Sequence, residues 1–283
     1  MPLWVMEKPL EPGLYVVATP IGNLGDLSPR AAETLRKASL VLAEDTRVTG
    51  KLLKHAGAKT PMRRYDDHAR ETDRKAIVER LATEAIAIVS DAGTPLISDP
   101  GYKLVRAARE AGAQVTTVPG PCAAIAALSI SGLPTDRFLF LGFLPAKAKA
   151  RRDAISEIAD VRATLVLYES GPRLGETLRA LLEVLGDQDA IVARELTKLY
   201  EESFIGTLGE LADRFEAVSP KGEIVIVVAP RKDPETVSDS ELDRMLEATM
   251  AKFSVSRAAA EVATQLGIPR KRAYERALDL SKK

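Results

Sequence analysis

The stretch SDAGTPLISDPG, residues 90–101, brings two glycines, two prolines and two aspartates together directly after the apolar run Ala85–Val89. Three more loops of similar make-up follow apolar runs: TPIGNLGDL (19–27), PGPCAA (119–124) and YESGPR (168–173). Short side chains let backbone amides and carbonyls come close to a flat or compact ligand. In an open α/β sheet, ligands gather beyond the carboxyl ends of the strands. Each loop alone reads as a plain βα turn; four together point to one cleft.

Exclusion narrows the ligand. The chain has no G-x-G-x-x-G, and the glycines of PIGNLGD stand at the wrong spacing for a dinucleotide turn. It has no G-x-x-x-x-G-K-[ST] for a P-loop and no G-x-S-x-G nucleophile elbow. One cysteine, Cys122, and two histidines, His55 and His68, cannot build a structural zinc site, so no metal is expected there. Asp91 and Asp99 are separated by a proline-containing turn, with no third carboxylate evident for magnesium. What remains is a ligand held mainly by backbone groups and lacking a phosphate tail. S-adenosylmethionine (SAM) has that character, because its sulfonium favours carbonyl oxygens and a mildly negative pocket. Asp91 and the bare backbone of Ala92-Gly93 suit such a ligand, while SDPG reads mainly as the turn and cap that launch the next helix.

The elements that must position these loops show in the hydrophobic pattern. Leu14–Ala18, Leu40–Ala43, Ala85–Val89 and Val115–Val118 read as strands, apolar throughout, as in a mainly parallel sheet buried on both faces. Ser28-Pro29 supplies an N-cap and an N1 proline for a helix. Further helices are expected up to Gly57, over Thr72–Glu84 and over Tyr102–Glu110. After VPGPCAAIAALSISGLP, a turn and a small-residue helix, the character changes. Strands at Phe138–Leu141, Thr164–Tyr168, Ala190–Ala193, Phe204–Thr207 and Glu223–Val228 alternate with helices only at Leu174–Leu185 and Leu208–Ala217, which suggests a mixed sheet. The expected organisation is an N-terminal α/β domain (1–119), a second α/β domain (120–230), a polar linker (231–240) and a helical domain (241–283). In the last, an N-cap serine, Gly267 and Pro269 divide two short helices in the manner of a helix-turn-helix. A helical cap on a partner subunit is the plainer reading of that tail.

The 283 residues are 46% hydrophobic and 28% charged, ample for a core, and 40 basic residues balance 40 acidic ones, so no global attraction to nucleic acid or membrane follows. The balance is uneven, with a net charge of about +5 over residues 251–283. A single cysteine fits a reducing cytoplasm. No run reaches the roughly 18–20 apolar residues that span a bilayer, and the first twelve residues lack the shape of a signal peptide. A soluble, cytoplasmic protein is expected.

TPIGNLGDLSPRA, AEDTRVTGKLLKH, SDAGTPLISDPGYKLV, VPGPCAAIAALSISGLPTDRFLFLGFLP, YESGPR, ARELTKLYEE and KGEIVIVV, in that order over residues 13–228, resemble the tetrapyrrole-methylase superfamily. Within it they resemble the enzymes that methylate the ribose 2′ oxygen of a cytidine in 16S rRNA, near the decoding centre of the small ribosomal subunit. The resemblance implies two α/β domains with a SAM cleft between them, and a homodimer. It assigns Pro20 to the cofactor cleft, Asp91, Ala92, Gly93 and Leu96 to the methionine part, Cys122 and Ala123 to a small-residue segment along SAM, and Tyr168, Glu169, Val228 and Ala229 to the adenosine. Cys122 reads as a small buried residue rather than a nucleophile. Relatives often carry Pro-His where this chain has Gly171-Pro172, which removes a histidine contact.

A hydroxyl acceptor is a poor acid, so a base would help. Candidates are Glu44 and Asp45 in AEDTR, and Glu195 and Lys198 in ARELTK, each of which reads equally as an ion-pair partner of Arg47 or Arg194. Lys198 serves as base only if its pKa falls. Arg47, Arg173, Arg194 and Lys198 are candidates for RNA phosphate, as are Arg270, Lys271, Arg272 and Arg276 in the tail. The alternatives are a C-methyltransferase of a corrinoid precursor, which has no use for a basic helical end, and a non-catalytic RNA-binding module, which leaves the four loops unexplained.

Overall fold

The computed structural model describes residues 9–66, 69–231, 239–251, 253–266 and 270–281. Its first half comprises β1 (Gly13–Val17), α1 (Pro29–Lys37), β2 (Leu40–Ala43), α2 (Thr46–Ala56), β3 (Met62–Arg64), α3 (Glu71–Arg80), β4 (Ala85–Val89), α4 (Tyr102–Glu110) and β5 (Val115–Val118). The strands form a parallel sheet in the order β3-β2-β4-β1-β5. Alternate residues face opposite layers. Tyr15, Val17, Val41, Ala43, Ala87 and Val89 pack with Leu35 of α1 and Leu52 and Leu53 of α2. Leu14, Leu40, Leu42, Ile86 and Ile88 pack with Ile77 of α3 and Leu104 and Ala108 of α4. Two covered faces explain why these strands are apolar throughout. The local signals act as expected: Ser28 Oγ accepts from the Ala31 amide with Pro29 in the first turn, and Gly57 closes α2 in the left-handed conformation.

The second half holds α5 (Ala123–Ile130), β6 (Phe138–Phe143), α6 (Ala148–Glu157), β7 (Thr164–Ser170), α7 (Leu174–Leu185), β8 (Asp189–Arg194), β9 (Glu202–Thr207), α8 (Leu208–Phe215) and β10 (Glu223–Val228). Its sheet is mixed, in the order β6-β7-β10-β8-β9, with only β6 and β7 parallel. One face carries α6, α7 and α8 through Ile155, Leu174, Leu178, Leu181 and Phe215. The other packs against Ala124, Ala127 and Leu128 of α5, and against Ile21 from the loop after β1.

The pattern reading did not include β3 and α6. β3 is three residues long, Met-Arg-Arg at a sheet edge, with no apolar alternation to betray it. α6 is polar over most of its length and joins the core through Ile155 and through Arg151, which is buried and donates to Glu176 Oε2 at 2.7 Å. The helix expected at Thr72–Glu84 ends at Arg80.

Both sheets belong to the unit Met1–Pro230; Arg231–Lys283 forms a separate unit. The latter contains α9 (Asp239–Met250), α10 (Val255–Leu266) and α11 (Arg270–Leu280), joined by a core of Leu242, Leu246, Ala259, Val262, Ala263, Ala273 and Ala277. Most of the expected 231–240 linker, and the expected breakers Gly267 and Pro269, lie outside the described residues, as does His68. No helix among the described residues is long and apolar enough to cross a membrane.

Leu178, fully buried between α7 and its sheet, should cost about 3 kcal/mol when cut to alanine. Val218→Ala, at a position 56% exposed, should stay within about 0.5 kcal/mol of the parent. Urea denaturation of the two variants checks the contrast.

Candidate functional site

The loops after the neighbouring strands β1 and β4 are tied by backbone. The Thr19 amide donates to the Gly93 carbonyl at 2.8 Å, and the Gly93 amide donates back to Thr19 at 3.1 Å. Thr19 is buried, and its hydroxyl lies 3.4 Å from the carbonyl oxygens of Ser90 and Gly93. Fixed this way, the β1 loop sends Ile21 across to the second sheet, beside α5 and Val225.

Two cavities flank this junction. The first, of about 330 Å³, is lined by Ala92, Gly93, Thr94, Ile97, Ser98 and Asp99 of the β4 loop, Cys122 and Ala123 at the start of α5, and Phe143 at the end of β6. Tyr168–Ser170 of β7 and Gly222–Val225 at the start of β10 complete it with Ile21. The second, of similar volume, is lined by Thr19, Pro20, Gly22 and Leu24, by Val48, Thr49, Lys51 and Leu52 of α2, and by Ser90, Asp91 and Lys198. Ile21, Ala92 and Glu223 belong to both walls.

Of the residues expected to hold a cofactor, Ala92, Gly93, Cys122, Ala123, Tyr168 and Glu169 therefore meet at the first cavity, and Pro20 and Asp91 at the second. Leu96, Val228 and Ala229 line neither. Leu96 packs over Gly101. Val228 pairs with Leu165, whereas Val225 pairs with Tyr168 beside the cavity. Three residues at about 3.3 Å each put Val228 roughly 10 Å away, among the residues under α7 and α8. β7 and β10 are antiparallel, so the cavity takes the end of one and the beginning of the other. The residues of β10 that reach the cavity are those at its start, Glu223–Val225, rather than Val228.

Glu169 contributes differently from its neighbour. Tyr168 faces the cavity side, and burial raises its hydroxyl pKa. The Glu169 carboxylate is buried on the opposite face, where it accepts from the Ser170 amide at 2.8 Å and from Thr177 Oγ1 at 2.6 Å. It fixes the β7–α7 turn.

The four candidate bases do not converge. Asp45 caps α2 and is clasped by Arg47, whose hydrogen bonds lower its pKa to about 2. Glu195 accepts from Lys198 Nζ at 2.8 Å and from the Glu223 amide at 3.0 Å, and these bonds lower its pKa. Burial pulls the Lys198 pKa down, but Glu195 and Glu223 outweigh it and leave the ammonium firmer than an ordinary lysine. That is the opposite of the fall in pKa that a lysine base needs. Glu44 alone is shifted toward neutrality, first by burial and then by Asp91, yet it lines neither cavity.

The arginines divide as well. Arg173 donates to the Leu144 carbonyl at 2.6 Å and pairs with Glu169. Arg194 is held by Glu202 and the Lys221 carbonyl. Both guanidinium groups are engaged within the fold. In the tail, Arg276 chelates Asp243 and Arg272 reaches Asp239, while Arg270 lies 3.4 Å from Ser256 Oγ. Arg47 and Lys271 remain exposed, at 88% and 87% of their side chains.

Sequence reasoning missed Asp99, Phe143 and Gly222–Val225. Gly101 does cap α4, as SDPG promised, but Asp99 points its chemistry at the cavity rather than only serving a turn. Burial raises its carboxyl pKa to about 6, with Glu44 and Asp91 adding to the effect against a hydrogen bond from Ser90. The second aspartate of the loop was the available signal. Phe143 follows a bulge in β6 and stands edge-on to Tyr168, 5.6 Å between ring centroids.

The first cavity suits a phosphate-free nucleoside carrying positive charge. Among the described residues no lysine or arginine lines it, its walls are mostly apolar, and Asp99 supplies an anion. The first turn of α5 has no side-chain cap, so backbone amides there can donate to a carboxylate. Gly93 adopts a positive φ of 79°, and any Cβ there would press on Ile21. Among the described residues no cluster of His, Cys, Asp and Glu could hold a metal.

Comparison with known proteins agrees. Residues 13–212 match the family described as Tetrapyrrole (Corrin/Porphyrin) Methylases, and residues 236–281 match the RsmI C-terminal HTH domain. The chain is 54% identical to the ribosomal RNA small subunit methyltransferase I of Erythrobacter litoralis, over 96% of this chain and 97% of that one. Its identity to the protein of the same name from Escherichia coli O157:H7 is 44%, covering 94% of each. Among solved structures, diphthine synthase superposes with a TM-score of 0.59 at 15% identity, covering 76% of this chain and 89% of that one. Uroporphyrin-III C-methyltransferase from Thermus thermophilus, complexed with S-adenyl homocysteine, gives 0.53 at 21% identity, covering 76% and 96%. These last likenesses concern the fold.

Gly222 holds a positive φ of 103°, and a Cβ there would lie 2.5 Å from the Glu195 carboxyl. Gly222→Ala should therefore cost about 1–3 kcal/mol, through strain and displacement of Glu195. In that background Glu195→Ala should cost less than it does alone, a coupling that a double-mutant cycle in urea measures.

Proposed function

The chain belongs to the tetrapyrrole methylase family, and from that premise we propose that it is a SAM-dependent methyltransferase acting on the ribose 2′ oxygen of a cytidine in 16S rRNA. The observation that carries the substrate is the near-full-length identity of 44–54% to proteins named ribosomal RNA small subunit methyltransferase I. The geometry supports it with two cavities of different chemistry sharing one wall: a cation-tolerant, nucleoside-sized pocket, and a neighbour with Lys51 and Lys198 at its edge.

When bound, the cofactor supplies an electrophilic methyl group on its sulfonium. The first cavity holds it through the backbone of Ala92–Thr94, the start of α5 and the apolar wall of Ile21, Ile224 and Val225. The second cavity receives the acceptor nucleotide, with Asp91 and the Thr19–Gly93 junction fixing the boundary across which the hydroxyl oxygen meets the methyl carbon. Transfer would form an oxygen–carbon bond as the donor's carbon–sulfur bond breaks, with the hydroxyl proton released to water. Alignment of oxygen, carbon and sulfur carries much of the acceleration. Glu195 and Lys198 act by positioning Glu223 and the shared wall.

Arg47, Lys51 and Lys271 contact RNA phosphates. The helical unit, matched to an HTH domain, contributes affinity rather than chemistry. The protein works in the cytoplasm as a homodimer, for which the exposed Leu199, Tyr200 and Ile205 offer an apolar face.

Mass spectrometry of 16S rRNA from cells with and without the gene should show one 2′-O-methylcytidine lost from the decoding region; an unchanged nucleotide rules the substrate out. Lys51→Ala should weaken binding to small-subunit RNA at every salt concentration and reduce the magnitude of the slope of log affinity against log salt by about 1. Fluorescence anisotropy over a salt series reads that slope.

A further inference from the structure

Asp99 is the one acidic residue on the first cavity for which the fold has provided no cation. Glu169 lies on the far side of its strand against Arg173, and Glu223 is joined to Lys198 at 3.0 Å. Among the described residues no lysine, arginine or histidine is ion-paired with Asp99, and its own lining neighbours Ile97, Ser98, Tyr168 and Ala92 carry no positive charge. The backbone is bent to place it there. Leu96 and Ser98 both take positive φ, 74° and 64°, a region unfavourable for residues with a side chain, and such strain gathers at functional sites.

We propose that Asp99 is the counter-charge for the positive end of the cofactor, and that filling the cavity expels a proton from its carboxyl group. This rests on the reading of the first cavity as the SAM site. Without a cation in place, burial holds the carboxyl up at about 6, helped by Glu44 at the end of β2 and Asp91 at the end of β4, and opposed by the Ser90 hydroxyl. Tyr168, Cys122 and Glu223 are the other titratable groups facing the cavity, and none of them brings positive charge. A bound cation favours the carboxylate and lowers its pKa, so below about pH 6 binding must first remove a proton, which passes to the buffer. The same burial acts on the empty protein. A folded-state pKa above the unfolded one means that stability is fully present at low pH and is lost as pH rises through about 6. At neutral pH the charged Asp99 therefore weakens the cofactor-free fold.

Calorimetry of the full chain with SAM, in buffers of differing ionisation heat from pH 5 to 7.5, tests this alongside melting of the cofactor-free protein. The parent should release about half a proton per SAM near pH 6 and lose affinity toward tenfold per pH unit below it. Asp99→Asn should bind at least tenfold more weakly at pH 7.5, show no proton release near pH 6, and melt at a higher temperature than the parent when empty. Unchanged affinity and pH profile in Asp99→Asn would overturn the proposal, as would weaker binding accompanied by a lower melting temperature, which marks a structural role. Failure of the parent itself to bind SAM would instead remove the cofactor reading on which the proposal stands.

Discussion

Two hydrogen bonds between Thr19 and Gly93 set the geometry on which the site depends. The loops that leave β1 and β4 start at adjacent positions on a buried parallel sheet, where an unpaired amide or carbonyl is costly. By pairing with each other they satisfy that requirement and become a short antiparallel extension of the sheet. Ile21 can then reach over to the second sheet, and the backbone of Ala92 and Gly93 is left facing open space. The cavities exist because these loops bond to each other rather than fold back on their own strands.

A further hydrogen bond from the backbone joins the halves, and ion pairs within the second half brace it. The Asn23 amide donates to Thr197 Oγ1 at 3.1 Å, and Lys198 bridges Glu195 and Glu223. Glu195 and Thr197 both hold positive φ, so this strap, like the Asp99 loop, is strained. Partly exposed ion pairs of this kind are worth about 0–1 kcal/mol each, and their importance lies in direction rather than strength. They favour Glu195 as the carboxylate and Lys198 as the ammonium, each stabilised by the other.

Much of the fold was legible because its signals are local. Apolar runs buried on both faces, Ser28-Pro29 and the left-handed Gly57 each act within a few residues, and so the strands from Leu40, Ala85, Val115 and Glu223 fall where the pattern puts them. What escaped depends on tertiary partners. The edge strand Met62–Arg64 is defined by its pairing with β2, and α6 by a buried arginine whose partner is 25 residues away. At the cavities, the resemblance named the loops, while Asp99, Phe143 and the start of β10 lie there without having been named as cofactor contacts. That Val228 lies away from the cavity follows from the direction of β10 relative to β7, which is invisible in a run of six residues, and the carbonyl and carboxylate partners of Arg173 and Arg194 come from distant parts of the chain. Asp99 was hidden behind the equally true reading of its loop as a helix cap.

The wall shared by the two cavities gives them more than proximity. Ile21, Ala92 and Glu223 present one surface to each side, so any shift that tightens the fit around one occupant reshapes the seat of the other. Such coupling is reciprocal: whatever the first occupant does to the affinity of the second, the second does to the first by the same factor. With donor and acceptor placed in these cavities as proposed, the linkage would run through three side chains and need no moving domain.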